Sequence, residues 1–202
     1  MDKVTILVNL NFIIATFALL LEIILVLLLS FFAFYFLSNS FKNKADRFLR
    51  RDLRAHRYNF DKLYLMFVFV FSLFSAAMTL FYSEYLGIIP CALCWFERVF
   101  MYGLVVISAT ALYTRSEVEY KSVVKYIKSF AVLGAIIALY HHVLQITALS
   151  KDSHLPCPVS GGECSKMIIF EYGHITFPLL AFIVFSFFIT LPFFIKILQK
   201  NN

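Results

Sequence analysis

Charge is scarce in this sequence. Of its 202 residues, 15% are charged and 61% are hydrophobic, whereas a soluble globular domain is about a quarter charged and about half apolar. With a mean hydropathy of +0.83, the balance excludes an ordinary soluble fold and fits a membrane bundle. No internal repeat and no low-complexity tract is present, so the chain reads as a single helical-bundle domain. No small-residue cleavage site follows the first apolar stretch, whose core is far longer than the roughly 7–15 residues of a signal peptide. That stretch is expected to stay in the protein.

Five stretches reach the length of about 20 residues that a helix needs to cross a bilayer core: Phe12–Leu37, Leu63–Tyr82, Trp95–Tyr113, Phe130–Leu149 and Ile175–Ile195. The net charge of +6 is not a nucleic-acid signature, because the basic residues flank the spans. Lys42, Lys44, Arg47, Arg50, Arg51, Arg54 and Arg57 lie between the first two spans. Arg115, Lys121, Lys125 and Lys128 lie between the third and fourth, and Lys196 and Lys200 follow the last. By the positive-inside rule these segments are expected on the cytoplasmic side, and the loops Ser83–Cys94 and Ser150–His174 on the outer side, together with the N-terminus. Residues 42–60 form a basic connector, read either as an amphipathic helix lying on anionic lipid or as a plain link. Glu22 lies at membrane depth, where a carboxylate is costly and faces a partner or cavity; it is expected as a neutral acid against a neighbouring helix.

All four cysteines, Cys91, Cys94, Cys157 and Cys164, fall in the two outer loops. Disulfides persist outside the cytosol, which keeps thiols reduced. Four cysteines allow three pairings, and the spacing favours Cys91 with Cys94 and Cys157 with Cys164. A zinc knuckle would want a second close pair, and Cys157 and Cys164 are too far apart for one, so no metal is expected. Haem attachment would need histidine after Cys94, where Trp95 stands. A redox dithiol needs a thiolate held by positive potential, and Cys94 opens a helix whose unpaired N–H groups provide it.

Arg98 follows Cys94 by four residues, on the same helix face and about 6 Å along the axis. A guanidinium there can stabilise a thiolate or donate to a carbonyl oxygen of a lipid-dissolved acceptor such as a quinone. The bland readings are snorkelling to the interface or pairing with Glu97. His141, His142 and Gln145 lie one to two turns below the outer surface, at the depth of Arg98. His141 and Gln145 share a face, and His142 points about a quarter-turn away, so one histidine can line a pocket as the other packs.

The run Pro90-Cys91-Ala92-Leu93-Cys94-Trp95-Phe96-Glu97-Arg98 at the start of a span resembles the signature of the DsbB family, which includes the BdbC-like disulfide bond formation proteins. So do Tyr140-His141-His142 with Gln145, the second cysteine pair, and Thr176-Phe177-Pro178-Leu179. The resemblance covers about residues 61–196. It implies an all-α membrane protein, a four-helix bundle at 61–202, with residues 1–41 as one extra N-terminal transmembrane helix.

It also implies an inner-membrane oxidoreductase that reoxidises an extracytoplasmic DsbA-like thiol oxidase and passes two electrons to quinone, ubiquinone or menaquinone. By the family's pattern Cys157 takes the partner's attack, Cys164 communicates with Cys91, and Cys94 meets the quinone. Arg98 stands beside that contact, with Glu97 adjoining, and His142, or alternatively His141, helps hold the quinone. The compact Cys157–Cys164 loop is closer to the BdbC type, which leaves open which of its cysteines is attacked. A vitamin-K-epoxide-reductase-like enzyme would place its C-x-x-C late in a span, and a non-catalytic subunit with static disulfides would not account for Arg98 beneath the pair.

Overall fold

The computed structural model describes residues 3–38, 42, 44, 60–114, 117–148 and 164–200. Five α-helices account for most of them: α1 (Lys3–Leu37), α2 (Phe60–Leu80), α3 (Ala92–Thr114), α4 (Glu117–Thr147) and α5 (Phe177–Lys200). Each is long and apolar enough to cross a membrane, as expected where lipid offers the backbone no hydrogen-bond partners and a helix satisfies its own. The helices outrun the apolar stretches that announce them. α4 starts at Glu117 where the apolar run begins at Phe130, because hydropathy marks only the lipid-facing length and a helix carries its polar end beyond it. The basic connector lies almost wholly outside the described residues.

The main pairings join α2 to α3, α3 to α4, and α4 to α5, with α1 packed on α5. Lipid tails are as apolar as leucine, so close packing and interhelical hydrogen bonds, about 1 kcal/mol each, hold such a bundle. The core contains Leu65, Val68, Leu104, Ile127, Ala131, Phe185 and Phe188. Gly134 receives the ring of Phe185 where any Cβ would collide with it, which lets α4 and α5 approach closely. Tyr64 Oη donates to the Phe188 carbonyl at 2.8 Å, tying α2 to α5.

α1 buries Asn11, Ile14, Ala15, Ala18, Leu21 and Leu25, a stripe at three- and four-residue spacing that forms one helix face. Its polar contacts converge on the segment following Cys164. Asn11 Nδ2 donates to the Ile168 carbonyl at 3.0 Å while Asn11 Oδ1 accepts from Tyr82 Oη at 2.6 Å. Thr16 Oγ1 meets Tyr172 Oη at 3.0 Å, and Glu22 Oε2 meets His174 Nε2 at 3.0 Å. Glu22 thus has a histidine in a loop as its partner, not a helix face. Hydropathy marks its depth but cannot show that a turn dips to meet it. That turn is closed by a bridge between Glu171 and Ile175, with Tyr172 at φ 53° and Gly173 at φ 78°. The left-handed backbone at a tyrosine costs roughly 1–2 kcal/mol, which the bridge and the α1 contacts offset.

Candidate active site

α3 begins immediately after Pro90 and Cys91. Proline disfavours helix at the residue before it, and Cys91 then serves as the N-cap, with Cys94 N donating to Cys91 Sγ at 3.3 Å. A helix N-terminus leaves N–H groups without partners and carries a partial positive charge. The sequence places that potential on Cys94; the structure directs it to Cys91, because a capping side chain folds back over the first turn while Cys94 sits within it. The two sulfurs lie 2.8 Å apart and both cysteines are free. The Cys91 thiol is pushed down to about 4, first by the hydrogen bond from Cys94, then by the adjacent His141 and the Cys94 N–H, against burial. Such a thiol is a thiolate at neutral pH.

Behind the pair stands His141, fully buried, with Nε2 3.6 Å from Cys91 Sγ and Nδ1 2.8 Å from Glu97 Oε1. Glu97 and Arg98 both lie on the buried face of α3. An Nδ1–H donated to the carboxylate turns Nε2 toward the sulfur, an arrangement of nucleophile, base and orienting acid. Gln145, on the same face of α4 as His141, has its Nε2 3.4 Å from His141 Nε2 and donates to the Lys166 carbonyl at 3.2 Å. Gln145 Oε1 is buried with no hydrogen-bond partner among the described residues.

Cys164 is disulfide-bonded and 2% exposed. It shares a buried cluster with Cys91, Leu93 and Leu144, and its carbonyl lies 3.3 Å from His141 Nε2. The segment after Cys164 therefore crosses directly over the cysteine pair. Cys157 lies outside the described residues.

Arg98, also buried, points to the end of α2 and away from Glu97. Its Nη2 donates to the Thr79 carbonyl at 2.8 Å and its Nη1 to Ser83 Oγ at 3.4 Å, while its guanidinium lies 5.2 Å from the centroid of Trp95. Ser83 belongs to a π-helical turn, Phe81–Tyr85, that ends α2; such turns are frequent at functional sites. His142 Nδ1 meets Thr176 Oγ1 at 2.8 Å. Thr176 also caps α5, accepting from Leu179 N at 3.4 Å.

Of the residues singled out from sequence, the structure brings Cys91, Cys94, His141, Glu97 and Cys164 together, sets Arg98 on the π-helical turn, and leaves His142 on Thr176. Sequence reasoning missed Thr79 and Ser83 and named Thr176 only within the resemblance, without its contact to His142; these contacts come from tertiary placement. The bland reading that pairs Glu97 with its neighbour Arg98 does not match the structure, where Glu97 holds His141, and the 97, 101, 104, 108 spacing already assigns Glu97 to the inward stripe.

Residues 61–193 match the family model described as Disulfide bond formation protein DsbB. The chain is 31% identical to the SPbeta prophage-derived disulfide bond formation protein B of Bacillus subtilis (strain 168), covering 62% of this chain and 80% of the relative. It is 36% identical to Disulfide bond formation protein C of the same organism (61% and 85%), and 35% identical to a probable disulfide formation protein of Metapseudomonas resinovorans (60% and 81%). No solved structure matches the chain significantly. α1 precedes the matched residues, whereas the cysteine pair, its histidine and its carboxylate all lie within them, and on that ground the chain belongs to the DsbB family of helical, multi-pass membrane proteins.

Proposed function

We propose that this protein makes disulfides by passing electrons from an extracytoplasmic DsbA-like thiol oxidase to membrane quinone, with both cysteine loops on the outer face of the inner membrane. The observation that carries the reading is the Cys91–Cys94 pair, 2.8 Å apart, with His141 and Glu97 behind it. Exchange needs a thiolate nucleophile, an accessible disulfide and a stabilised leaving thiolate. The partner supplies the first thiolate, and the burial of Cys164 directs its attack to Cys157. Cys164 leaves as a thiolate and, lying in one cluster with Cys91, attacks Cys91 of the oxidised pair; Cys94 leaves as the next thiolate, so electrons pass inward as the disulfide passes outward. Catalytic bundle and added helix divide as residues 61–202 and 1–41, joined by the basic link at 42–60.

The residues at the inner end suit a quinone. Cys94 is half-buried and Trp95 and Phe96 are exposed beside it, so a flat apolar ring has aromatic surface to lie on. Arg98 carries N–H donors for a quinone oxygen, and the orphaned Gln145 Oε1 is an acceptor suited to the hydroxyl of a quinol. Arg98, with His141 or His142, would hold the ring, and bound quinone supplies a two-electron acceptor, which protein thiols alone cannot. The deciding experiment mixes purified protein in lipid discs with a reduced DsbA-like protein and either ubiquinone or menaquinone, following quinone absorbance and partner thiols together. One quinone reduced per disulfide formed is expected. Partner oxidation that proceeds equally without quinone, or quinone reduction that survives loss of both Cys91 and Cys94, would sink the proposal.

A further inference from the structure

Thiolate sulfur and imidazole nitrogen are the preferred ligands of zinc and its thiophilic relatives. The sequence argues against zinc on the spacing of the two cysteine pairs alone, and that argument leaves out a donor from another helix. Cys91 Sγ, Cys94 Sγ and His141 Nε2 all lie within 4.8 Å of one another. With metal–sulfur bonds of about 2.3 Å and metal–nitrogen bonds of about 2.0–2.1 Å, tetrahedral ligands stand roughly 3.5 Å (S to N) and 3.8 Å (S to S) apart. Cys91 Sγ to His141 Nε2 is 3.6 Å, close to that edge, and the two sulfurs, now at 2.8 Å, would need to part by about 1 Å.

A further feature favours a metal. Glu97 Oε1 on His141 Nδ1 at 2.8 Å fixes the ring so that Nε2 faces the sulfurs, the carboxylate–histidine arrangement that supports metal-ligating histidines. Charge is compatible, since a divalent cation that displaces the remaining thiol proton neutralises both sulfurs. We propose that the reduced protein holds one thiophilic divalent cation of the zinc or cadmium class on Cys91, Cys94 and His141, with Glu97 as the outer partner. A fourth position is left for water or an incoming thiolate. Binding displaces the thiol protons and removes the pair from exchange; forming the Cys91–Cys94 disulfide takes away two ligands and expels the ion. The site shares its cysteines with the proposed redox centre but rests on ligand geometry, not on the electron acceptor.

The probe is cadmium, added anaerobically to the reduced full-length chain in detergent. Its thiolate charge-transfer absorption is read in the wild type and in a background with Cys157 and Cys164 replaced by Ser. One ion per chain is expected in that background, with the band lost in Cys91→Ser or Cys94→Ser and absent from the oxidised chain. His141→Ala should weaken binding by at least about tenfold, and Glu97→Gln by roughly ten- to hundredfold. An unchanged affinity in His141→Ala identifies a generic dithiol and overturns the site. Should His141→Ala fail to fold, an unchanged affinity in Glu97→Gln overturns it equally, as does binding to the oxidised chain. Quinone reduction by the metal-free wild type is measured in parallel. A chain that cycles with quinone yet takes up no cadmium refutes the metal site and leaves the redox reading intact.

Discussion

Glu97 holds His141 by its Nδ1 at 2.8 Å, across two helices, with His141 fully buried and Glu97 nearly so. The pair fixes which imidazole nitrogen faces Cys91, so the carboxylate acts on the sulfur through the ring and is a positioning residue. Glu97→Gln is expected to slow disulfide transfer through Cys91 by roughly tenfold or more, less than the about 10²–10⁴ of a group that moves the proton itself, because Glu97 acts through the ring. Overall helicity and thermal stability should change little. Stopped-flow exchange with a small disulfide reads the chemical step, and an unchanged rate would leave Glu97 a packing residue.

The Cys91 thiolate predicts an unusual pH profile. Because its pKa is pushed down to about 4, alkylation of the reduced pair should stay fast down to about pH 5 and fall with a midpoint near 4, far below the value of about 8.5 for an ordinary cysteine. Cys94→Ala removes the largest cause of the shift and should move the midpoint upward, and His141→Ala should move it less. Mass spectrometry of pulse-alkylated samples locates the modified residue, and a midpoint above 7 in the wild type contradicts the assignment.

Glu22 and His174 predict a pH-dependent anchor for α1. The hydrogen bond to Glu22 raises the His174 pKa above its ordinary value. The pair's contribution is therefore fully present below the unfolded value of about 6.5 and is lost as pH rises through the raised folded one. Both side chains are partly exposed, and exposed pairs contribute little. Glu22→Gln should lower the melting temperature by about 1–3 °C at pH 6 and by less at pH 9. Scanning calorimetry at the two values checks it, and equal losses would exclude the histidine.

Spans, the position of the cysteine pair at a helix start, and the common face of His141 and Gln145 are local properties, set by hydropathy and helical periodicity, and the sequence carries them. The link between Glu97 and His141 is 44 residues long and depends on how α3 and α4 rotate against each other, which no local pattern encodes. The same holds for Arg98, whose face and depth are local but whose acceptors, the Thr79 carbonyl near the end of α2 and Ser83 in the π-helical turn, come from another helix. α1 was legible as a span, but its docking was not. It offers three polar residues, Asn11, Thr16 and Glu22, which meet Ile168, Tyr172 and His174 only because a loop folds back onto the helix.

Cys164 is buried, so a soluble thiolate should reach only its disulfide partner. Cys164→Ala removes the thiol that would resolve a mixed disulfide, and Cys157 should then trap the DsbA-like partner in intact cells. An impermeant thiol reagent should label the reduced cysteines before lysis if both loops face outward. A trap seen only with Cys157→Ala reverses the order of attack, and labelling only after lysis overturns the topology.

Arg98 is buried at the level of the cysteine pair, bonded to the Thr79 carbonyl and Ser83 and lying over Trp95. Those contacts hold the guanidinium in one orientation one helical turn from Cys94, and on the proposed reading its remaining donors serve a quinone oxygen. Arg98→Ala removes a charge-assisted hydrogen bond, typically about 1.5–3 kcal/mol, or roughly ten- to hundredfold in apparent quinone affinity. Oxidation of the pair by a small disulfide should be much less affected. Lysine should rescue in part, because an ammonium keeps the charge and can reach the Thr79 carbonyl but loses the planar fork. A purely structural arginine predicts the opposite pattern, with lower protein yield and an unchanged KM for quinone. Steady-state kinetics with quinone and reduced partner varied separately distinguish the two. Wild-type quinone kinetics in Arg98→Ala would move the acceptor's anchor to His141, His142 or Gln145.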